Sequence, residues 1–365
     1  MRCTIVGSGL AALATYATLR HGGLKPEEIS VFGTHEDPTD VWRTRAAAIR
    51  QQCMRSESDG HVAPAAFPGL AVREAMRRGS PAPLLRSVAN RYHPSVDDFL
   101  AHAESVRQHT GWERSFRVQR VERIRAVEGG FTLDGEGPFA HVMIATGHPG
   151  LARPDAFPGA VHAYEPHEYA SKVAVVGAGM AAATEWLNAL AAGAEVVSIR
   201  RREPLRRPLN VPRPFFSKRG LAAFHAATTE RRAATLRELS TPSYPGGAAW
   251  DEPVRAAERE GRFRAQATPN GTASLNGVQV IAATGFRQGF GHDALLADLV
   301  DAHDLPTHDR WIVLDPDSTV AALTDETRTL AIAGVAAQWA FPAADTIAGA
   351  KYAAHAFRRR ACRTR

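Results

Sequence analysis

The sequence predicts an α/β fold with two parallel sheets, because one short glycine pattern occurs twice in the same context. Residues 7–12 and residues 177–182 both read Gly-x-Gly-x-x-Ala, and each run follows an apolar strand and precedes an Ala-rich helix. In this pattern the first glycine allows a tight turn and the second lets the backbone approach a pyrophosphate, while the small third residue lets helix and strand pack closely. One match is weak evidence, whereas two in the correct context predict two Rossmann-like dinucleotide-binding domains.

The elements of the first half are predicted from the period of the apolar residues and from the turn residues. Ser95 is the N-cap candidate of a helix whose first turn carries Asp97 and Asp98, and acidic residues suit that end of the helix dipole. In order, the predicted elements are a strand at 2–7, a helix at 10–21, a strand at 29–32, an irregular stretch at 34–90, a helix from residue 95, strands at 116–127 and 130–133, and a buried strand at 142–145.

The second half contains the other glycine unit and then returns to the first domain. Its predicted elements are a Pro-containing linker at 151–169, a strand–helix–strand unit at 173–200, an irregular basic stretch at 201–250 with a helix near 221–239, a helix at 253–260, strands at 278–283 and 329–334, and a last helix at 344–359. This order implies two interleaved domains of the three-layer ββα/βαβ type, with residues 1–165 and 280–365 in one domain and residues 170–279 inserted as the other. The predicted crossing points are the turns Ala145-Thr146-Gly147 and Ala283-Thr284-Gly285, since glycine is needed where the backbone turns sharply.

The composition is that of a globular protein and excludes several classes. The chain has 365 residues, 44% of them hydrophobic and 22% charged, and a net charge of +6. The basic residues form no aromatic–basic repeat, and no segment has the roughly 18 uninterrupted apolar residues of a membrane helix, so neither a nucleic acid nor a membrane is an expected partner. The three cysteines, Cys3, Cys53 and Cys362, are far apart, which favours a cytoplasmic protein and argues against a metal site or a redox-active cysteine pair.

The strand after the second glycine unit indicates which nicotinamide nucleotide is used. It ends in Arg200-Arg201-Arg202, where an NAD-binding protein carries an acidic residue for the ribose hydroxyl. A guanidinium forms charge-assisted hydrogen bonds with a 2′-phosphate, so this end of the strand favours NADPH. The alternative is a solvated basic loop, because positive charge continues at Arg206 and Arg207.

With these features the sequence resembles the two-dinucleotide-binding flavoproteins, and within them the flavin-containing and N-hydroxylating (class B) flavin monooxygenases. The resemblance covers almost the whole chain and includes both glycine patterns, both Ala-Thr-Gly turns, Trp42, the helix entry Tyr92-His93-Pro94-Ser95 and the last Ala-rich helix. It implies that the first glycine pattern binds FAD and the second binds NADPH. The cofactor-binding candidates are Gly7, Gly9, Leu10, Ala11, Ala12, Trp42, Arg55, Thr146, Gly147, Gly177, Gly179, Met180, Ala182, Arg200, Arg201, Thr284, Gly285 and Gly334.

The sequence departs from this family at three places. Gly33 stands where the family has an acidic residue for the adenosine ribose; Glu36 and Asp37 are candidates to replace it, and the alternative is that both are merely exposed. The C-terminal flavin motif ends in Gly334-Val335 instead of Gly-Asp, so backbone amides are candidates to hold the ribityl chain. The family linker motif is shortened around His162, for which a hydrogen-bonded structural role is favoured over a catalytic one.

The polar loop after Trp42 is the candidate surface for the flavin ring and the substrate. Within residues 51–61, Arg55 is a candidate to contact an anionic flavin or its phosphates, and Ser56 and Ser58 are candidates to hydrogen-bond it, while Glu57 and Asp59 are candidates for a cationic amine. Each of them is alternatively a surface loop residue. Phe215-Phe216 is either a lid over the nicotinamide or part of the core.

No protein nucleophile is evident, as expected where a cofactor carries the chemistry and the protein supplies position and dryness. The resemblance implies that NADPH reduces FAD, that oxygen adds at C4a to give a (hydro)peroxyflavin, and that nitrogen or sulfur of a small molecule is then oxygenated in a site that excludes water. Molecular oxygen and a small molecule are therefore the expected partners, and a homo-oligomer is left open. The alternatives are an NADPH-dependent flavoprotein reductase without a redox cysteine pair and a non-catalytic dinucleotide-binding protein.

Overall fold

The computed structural model of the chain describes residues 3–55, 62, 70–88, 92–207, 209–267, 275 and 277–362. In chain order its strands are β1 (Cys3–Val6), β2 (Ile29–Gly33), β3 (Phe116–Val118), β4 (Ile124–Val127), β5 (Gly130–Leu133), β6 (Glu136–Phe139), β7 (His141–Ile144), β8 (Val161–His162), β9 (Lys172–Val176), β10 (Glu195–Arg200), β11 (Leu205–Arg206), β12 (Ser243–Tyr244), β13 (Phe263–Ala267), β14 (Gln279–Ala282), β15 (Thr307–His308), β16 (Trp311–Ile312) and β17 (Thr329–Ile332). Its α-helices are α1 (Leu10–His21), α2 (Asp40–Ala48), α3 (Leu70–Arg78), α4 (Ala82–Val88), α5 (Val96–Thr110), α6 (Met180–Ala191), α7 (Lys218–Ala226), α8 (Thr229–Leu239), α9 (Ala248–Arg259), α10 (Ala294–His303) and α11 (Ile347–Ala361).

The first parallel sheet has the strand order β17-β7-β1-β2-β3 and is covered on both faces. Because side chains alternate along a strand, Ile5 packs with α1 and α11 on one face, whereas Val6 packs with the antiparallel sheet β4-β5-β6 on the other. The result is a helix layer, a parallel sheet and an antiparallel sheet. Strand β17 and helix α11 follow the second unit in the sequence, so the two units are interleaved along the chain.

The second parallel sheet has the order β13-β10-β9-β14-β8 and repeats the arrangement around the other glycine pattern. Val173 and Val175 of β9 pack with α6 through Ala182 and Trp186. The predicted α/β fold with two interleaved Rossmann-like units is therefore confirmed.

Two short segments carry the chain between the sheets, and they lie side by side. The chain leaves the first sheet after β7 and returns from the second sheet after β14, at the two Ala-Thr-Gly turns. The backbone N–H of Ala152 donates to the carbonyl of Gly285 at 2.9 Å, and that of Arg287 donates to the carbonyl of Gly150 at 2.9 Å. The expected boundary between residues 279 and 280 falls inside β14, which is hydrogen-bonded to β9, so we propose that the inserted unit ends at the turn Ala283-Thr284-Gly285.

Several elements differ from the sequence-based expectation. The stretch at 34–90, expected to be irregular, contains α2, α3 and α4. In α3 the buried residues Leu70, Ala71, Glu74 and Ala75 recur at helical spacing, a signal masked by the surrounding Pro, Arg and Ser. The helix expected near 221–239 is divided into α7 and α8, because Thr228 is extended and its hydroxyl accepts a hydrogen bond from the Arg231 N–H at 3.3 Å as an N-cap.

The strand expected at 116–127 is two strands, β3 and β4, and the helix expected at 253–260 begins earlier, at Ala248. Two details of the helices in the first half are confirmed. Helix α1 has the expected bounds, and the Ser95 hydroxyl accepts from the Asp98 N–H at 3.1 Å at the start of α5. The described residues contain no helix that is both long and apolar enough to cross a membrane. They also contain no group of three or more His, Cys, Asp or Glu side chains arranged to hold a metal ion.

Candidate functional site

A large cleft opens at the carboxyl edge of the first sheet, beside the N-terminus of α1. We call this cavity of about 1350 Å³ the first cleft. The carboxyl edge of a parallel sheet is where ligands bind in open α/β folds. Its wall includes residues 6–11, 32–35, 119–123, 145–149, 334–335 and 344–348.

Glycine stands at residues 7 and 9 of the first pattern for different structural reasons. Gly7 has φ +120°, and a Cβ there would lie 2.6 Å from the carbonyl carbon of Ala145, so only glycine fits this turn. Gly9 precedes α1 without a side-chain cap, and a Cβ there would meet no atom of the described residues within 4 Å. The uncapped N–H groups of α1 and the open space at Gly9 fit a pyrophosphate. Leu10 and Ala11 line the cleft, whereas Ala12 is fully buried and only packs.

The second sheet has an equivalent cavity of about 1240 Å³, the second cleft. Gly177 has φ +141°, and a Cβ there would lie 2.9 Å from the carbonyl carbon of Ala283. Gly179 precedes α6 without a side-chain cap, and among the described residues a Cβ there would meet only Pro242 Cβ, at 3.8 Å. Met180 lines this cleft, whereas Ala182 is fully buried. The wall includes residues 176–181, 199–202, 239–243, 283–290 and 310–312.

The structure explains why no acidic residue ends β2. A Cβ at Gly33 would collide with the Cβ and Oγ of Ser8 and lie 3.0 Å from its backbone nitrogen. Ser8 is fixed there because its hydroxyl accepts a hydrogen bond from the His35 N–H at 3.1 Å. A side chain at residue 33 is thus excluded while serine occupies position 8.

Of the two candidate replacements, Asp37 lines the first cleft and Glu36 does not. The Asp37 carboxylate already accepts from the N–H and hydroxyl of Thr39, at 2.8 and 2.7 Å, and from Arg43 Nη2 at 2.6 Å. Burial raises the pKa of the Asp37 carboxyl, but these donors outweigh burial and hold the pKa below its usual range. Asp37 is therefore a charged loop-closing residue at the rim of the cleft.

Arg200, Arg201 and Arg202, at and after the end of β10, all line the second cleft but differ in exposure. The Arg200 side chain is 14% exposed and donates to Glu203 at 2.7 Å, whereas Arg201 and Arg202 are exposed on the cleft wall. Arg310 joins the same wall from a distant hairpin, where it donates to the Ser240 hydroxyl at 2.7 Å and burial lowers its pKa. The sequence offered no sign of Arg310, because only the folded chain brings residue 310 next to the second glycine unit.

The two clefts meet, and we call the set of residues that line both of them the junction. Helix α2, the first crossing segment and the segment before α11 contribute to it. Its members are Trp42, Arg45, Gln51, Gly147, His148, Pro149, Asn210, Val211, Asp293, Val335 and Asp345.

Several predicted site residues lie at the junction or beside it. The Thr146 hydroxyl donates to Asp293 at 2.6 Å, which ties the first crossing turn to the N-cap of α10. The Thr284 hydroxyl donates to the carbonyl of Ala152 and so closes the second crossing turn. Gly334 has φ +74° and lines the first cleft, and Val335 follows it into the junction.

Arg55 lies on the wall of the first cleft beside the junction. Its guanidinium donates to the carbonyl of Arg207 at 2.8 Å and to the side chain of Asn210, while its buried Nε has no partner within the described part of the chain. Burial lowers the pKa of Arg55 to about 10, against the opposing field of Asp345. Asp345 is exposed to the cleft but deeply enclosed by protein, and this enclosure raises the pKa of its carboxyl. The neighbouring candidates Ser56, Glu57, Ser58 and Asp59 lie outside the described residues.

The contacts of His162 and of the pair Phe215-Phe216 bear on the alternatives left open for them by the sequence. His162 is fully buried, accepts from the Tyr164 N–H at 3.2 Å through Nδ1 and contacts the carbonyl of Gly285 through Nε2 at 3.1 Å. It lines neither cleft, in keeping with a structural role. Phe215 packs against the core, whereas Phe216 is 40% exposed and lines the first cleft.

Four rings are stacked from the linker to the junction. His162 stacks on Tyr164 at 5.6 Å between ring centroids, Tyr164 on Phe286 at 5.0 Å, and Phe286 on His148 at 4.0 Å. The guanidinium of Arg45 lies 4.8 Å from the Phe286 centroid. Burial, and to a smaller extent the nearby Arg45, lower the pKa of His148 to about 4, so the imidazole is neutral near pH 7. The sequence analysis missed His148, although it directly follows the first Ala-Thr-Gly turn.

Neither a protein-family profile nor a curated protein sequence matches the chain. Solved structures with the same fold do. The ornithine hydroxylase of Pseudomonas aeruginosa superposes with a TM-score of 0.70 over 99% of both chains, at 16% identity. An ornithine N-hydroxylase of Kutzneria sp. 744, solved with reduced FAD, NADP⁺ and L-ornithine, superposes with a TM-score of 0.68 over 97% of both chains, at 16% identity.

The same fold also includes reductases. A bacillithiol disulfide reductase of Bacillus cereus superposes with a TM-score of 0.62 over 98% of this chain and 97% of its own, at 15% identity. At such identities the likeness establishes the fold of two interleaved dinucleotide-binding units. The chemistry must be argued from the clefts and the junction.

Proposed function

We propose that this protein is an NADPH- and oxygen-dependent FAD monooxygenase that oxygenates a nitrogen or sulfur atom of a small molecule. The observation that carries the proposal is the junction, where two clefts meet, each built on a glycine turn at a helix N-terminus. Two dinucleotides seated in these clefts would bring their reactive ends into one space. Hydride transfer between them requires such a contact.

The residues present fit both cofactors. In the first cleft, Gly7, Gly9 and the first turn of α1 would hold the FAD pyrophosphate, because Gly9 leaves its space open. In the second cleft, Gly177, Gly179 and the first turn of α6 would hold that of NADPH. Exposed Arg201 and Arg202 on the cleft wall support a preference for the 2′-phosphate.

When bound, FAD supplies electron transfer from NADPH to oxygen, so that one oxygen atom enters the substrate and the other leaves as water. The protein contributes position and a controlled environment at the junction. Trp42, Val211 and Val335 give it apolar walls, which limit the water that reaches the reacting atoms. Arg55, poorly solvated and bonded to neutral acceptors, places a positive field beside the same space.

The named reactions of the structural neighbours support a heteroatom as the target. Two of these proteins are named ornithine hydroxylases, and an S-allyl-L-cysteine S-oxygenase of Allium sativum superposes with a TM-score of 0.53 over 98% of this chain and 76% of its own, at 14% identity. A reductase is the second candidate, because the bacillithiol disulfide reductases share the fold. The positions of the cysteines disfavour its dithiol form: none of Cys3, Cys53 and Cys362 lines either cleft within the part of the chain that the structure describes.

The proposal is tested by reducing the purified protein with NADPH in the absence of oxygen and then mixing it with oxygen and a panel of amines and sulfides. The expected result is a yellow protein with FAD, faster reduction by NADPH than by NADH, and an oxygenated product whose yield accounts for the NADPH consumed. Stoichiometric peroxide with every compound of the panel would instead favour the reductase. A colourless protein that takes up no FAD would favour a non-catalytic dinucleotide-binding protein.

A further inference from the structure

We propose that His148 is a positioning residue for the nicotinamide ring of NADP(H), providing a flat neutral platform and a hydrogen-bond donor at the junction. This inference rests on the proposed function, since it concerns the occupant of the second cleft. It assigns a role to a residue that no sequence motif singled out.

The first argument is the position of the ring. His148 is partly exposed, lines both clefts and has one face covered by Phe286, with 4.0 Å between centroids and 18° between planes. Phe286 and Tyr164, which lie behind it in the stack, line the second cleft only. His148 is therefore the end of an aromatic wall that belongs to the second cleft and reaches the junction. A planar ring entering from that cleft meets this end first, and offset stacking of aromatic rings is favourable.

The second argument is an unpaired nitrogen. Nδ1 of His148 is buried and has no hydrogen-bond partner among the residues that the structure describes. A neutral imidazole carries its proton on one nitrogen, and an orphaned buried N–H is rarer than an orphaned acceptor. We therefore assign the proton to Nε2, which leaves this N–H as the group that can meet a ligand. The carboxamide oxygen of nicotinamide is an acceptor suited to it.

The third argument is charge. The oxidised nicotinamide ring is cationic, so an imidazolium beside it would repel it, whereas a neutral ring attracts a cation over its face. The burial of His148 and the field of Arg45 both favour the neutral form. The stack on Phe286, with Arg45 placed over that ring at 4.8 Å, also fixes the imidazole plane.

The inference is tested by calorimetric titration with two ligands, NADP⁺ and 2′,5′-ADP, of which only the first carries nicotinamide. We expect His148→Ala to weaken NADP⁺ binding about tenfold, the loss of one stacked pair and one hydrogen bond, and to change 2′,5′-ADP binding less than twofold. His148→Phe keeps a ring but no donor, so its affinity for NADP⁺ should lie between those of the wild type and His148→Ala. His109→Ala, an exposed histidine of α5 outside both clefts, is the control and should bind both ligands as the wild type does.

The outcomes separate this inference from the proposed function. If the wild type binds neither ligand, the second cleft is not an NADP site, and both the proposed function and the role of His148 are wrong. If the wild type binds both and His148→Ala binds NADP⁺ equally well, the proposed function stands and the inference is wrong. If His148→Ala keeps its FAD but its affinity for 2′,5′-ADP falls as much as its affinity for NADP⁺, the role of His148 is structural. This result would also overturn the inference.

Discussion

The collision between residues 8 and 33 makes a quantitative prediction about the first glycine turn. A Gly33→Ala substitution introduces a Cβ that overlaps with the Cβ and Oγ of Ser8 and lies 3.0 Å from its backbone nitrogen, where carbon atoms normally approach to about 3.5–4.0 Å. The turn is fixed by strand pairing on both sides of β1, so it cannot move away freely. Overpacking of this kind costs about 1–3 kcal/mol, and we expect a loss of about 2 kcal/mol in the free energy of unfolding.

The companion substitution identifies the cause. Ser8→Gly removes both colliding side-chain atoms at the cost of the hydrogen bond from the His35 N–H. The double variant Ser8→Gly/Gly33→Ala should therefore be more stable than the sum of the single effects by about 1–2 kcal/mol, as expected for residues in contact. Gly159→Ala is the matched control, because a Cβ there meets no atom of the residues described by the structure within 4 Å, and its effect should stay within about 0.5 kcal/mol.

The assay is urea unfolding of the flavin-free protein followed by far-ultraviolet circular dichroism, because bound FAD would add its own stabilisation to every variant. A Gly33→Ala protein as stable as the wild type would refute the steric explanation of the missing acidic residue. Additive single effects in the double variant would refute the assignment of Ser8 as the obstacle.

Gly9→Val should lower the bound FAD by roughly nine tenths or more, because its side chain fills the open space beside α1. The FAD is measured by absorbance after denaturation, and the circular dichroism should be unchanged. A variant that keeps all of its FAD would contradict the assignment of the first cleft as the FAD site. Changing Arg200 and Arg201 together to Ala should lower the NADPH-over-NADH preference in anaerobic flavin reduction roughly ten- to a hundredfold. Equal use of the two nucleotides by the wild type would rule that role out. The hydrogen bond to Glu185 raises the pKa of His167 above its ordinary value, so its contribution to stability is full below about pH 6.5 and is lost as pH rises through the folded-state pKa. His167→Gln should therefore lower the free energy of unfolding more at pH 5.5 than at pH 9, and an equal loss at both values would show that the hydrogen bond alone matters.

The fold was predictable from the sequence because two of its glycines mark turns that require a backbone conformation open only to glycine. Gly7 and Gly177 stand at turns that no other residue can adopt without a collision, and such positions are visible in one sequence. The capped start of α5 was predictable for a similar local reason. The helices within 34–90 were not, since Pro, Arg and Ser around them outweighed a short amphipathic period.

The site was less predictable because its chemistry is assembled from distant segments. Arg310 and Asp345 reach the clefts from the far end of the chain, and Ser8 determines what residue 33 can be through a contact that no spacing rule describes. The cytoplasmic location and the possible homo-oligomer stay predictions, as does the role of the loop from Ser56 to Asp59.

The crossing segments hold the clefts of the two sheets next to each other. Each segment follows a strand that lies next to the strand carrying a glycine turn, so both segments start at the rim of a cleft. Their mutual hydrogen bonds, between Ala152 and Gly285 and between Arg287 and Gly150, fix the two rims against each other. The stack from Tyr164 through Phe286 to His148 then joins the linker to both segments. Because ornithine hydroxylases and a disulfide reductase superpose on the same two sheets, we expect the choice between oxygenase and reductase chemistry to depend on side chains at the junction and not on the sheets.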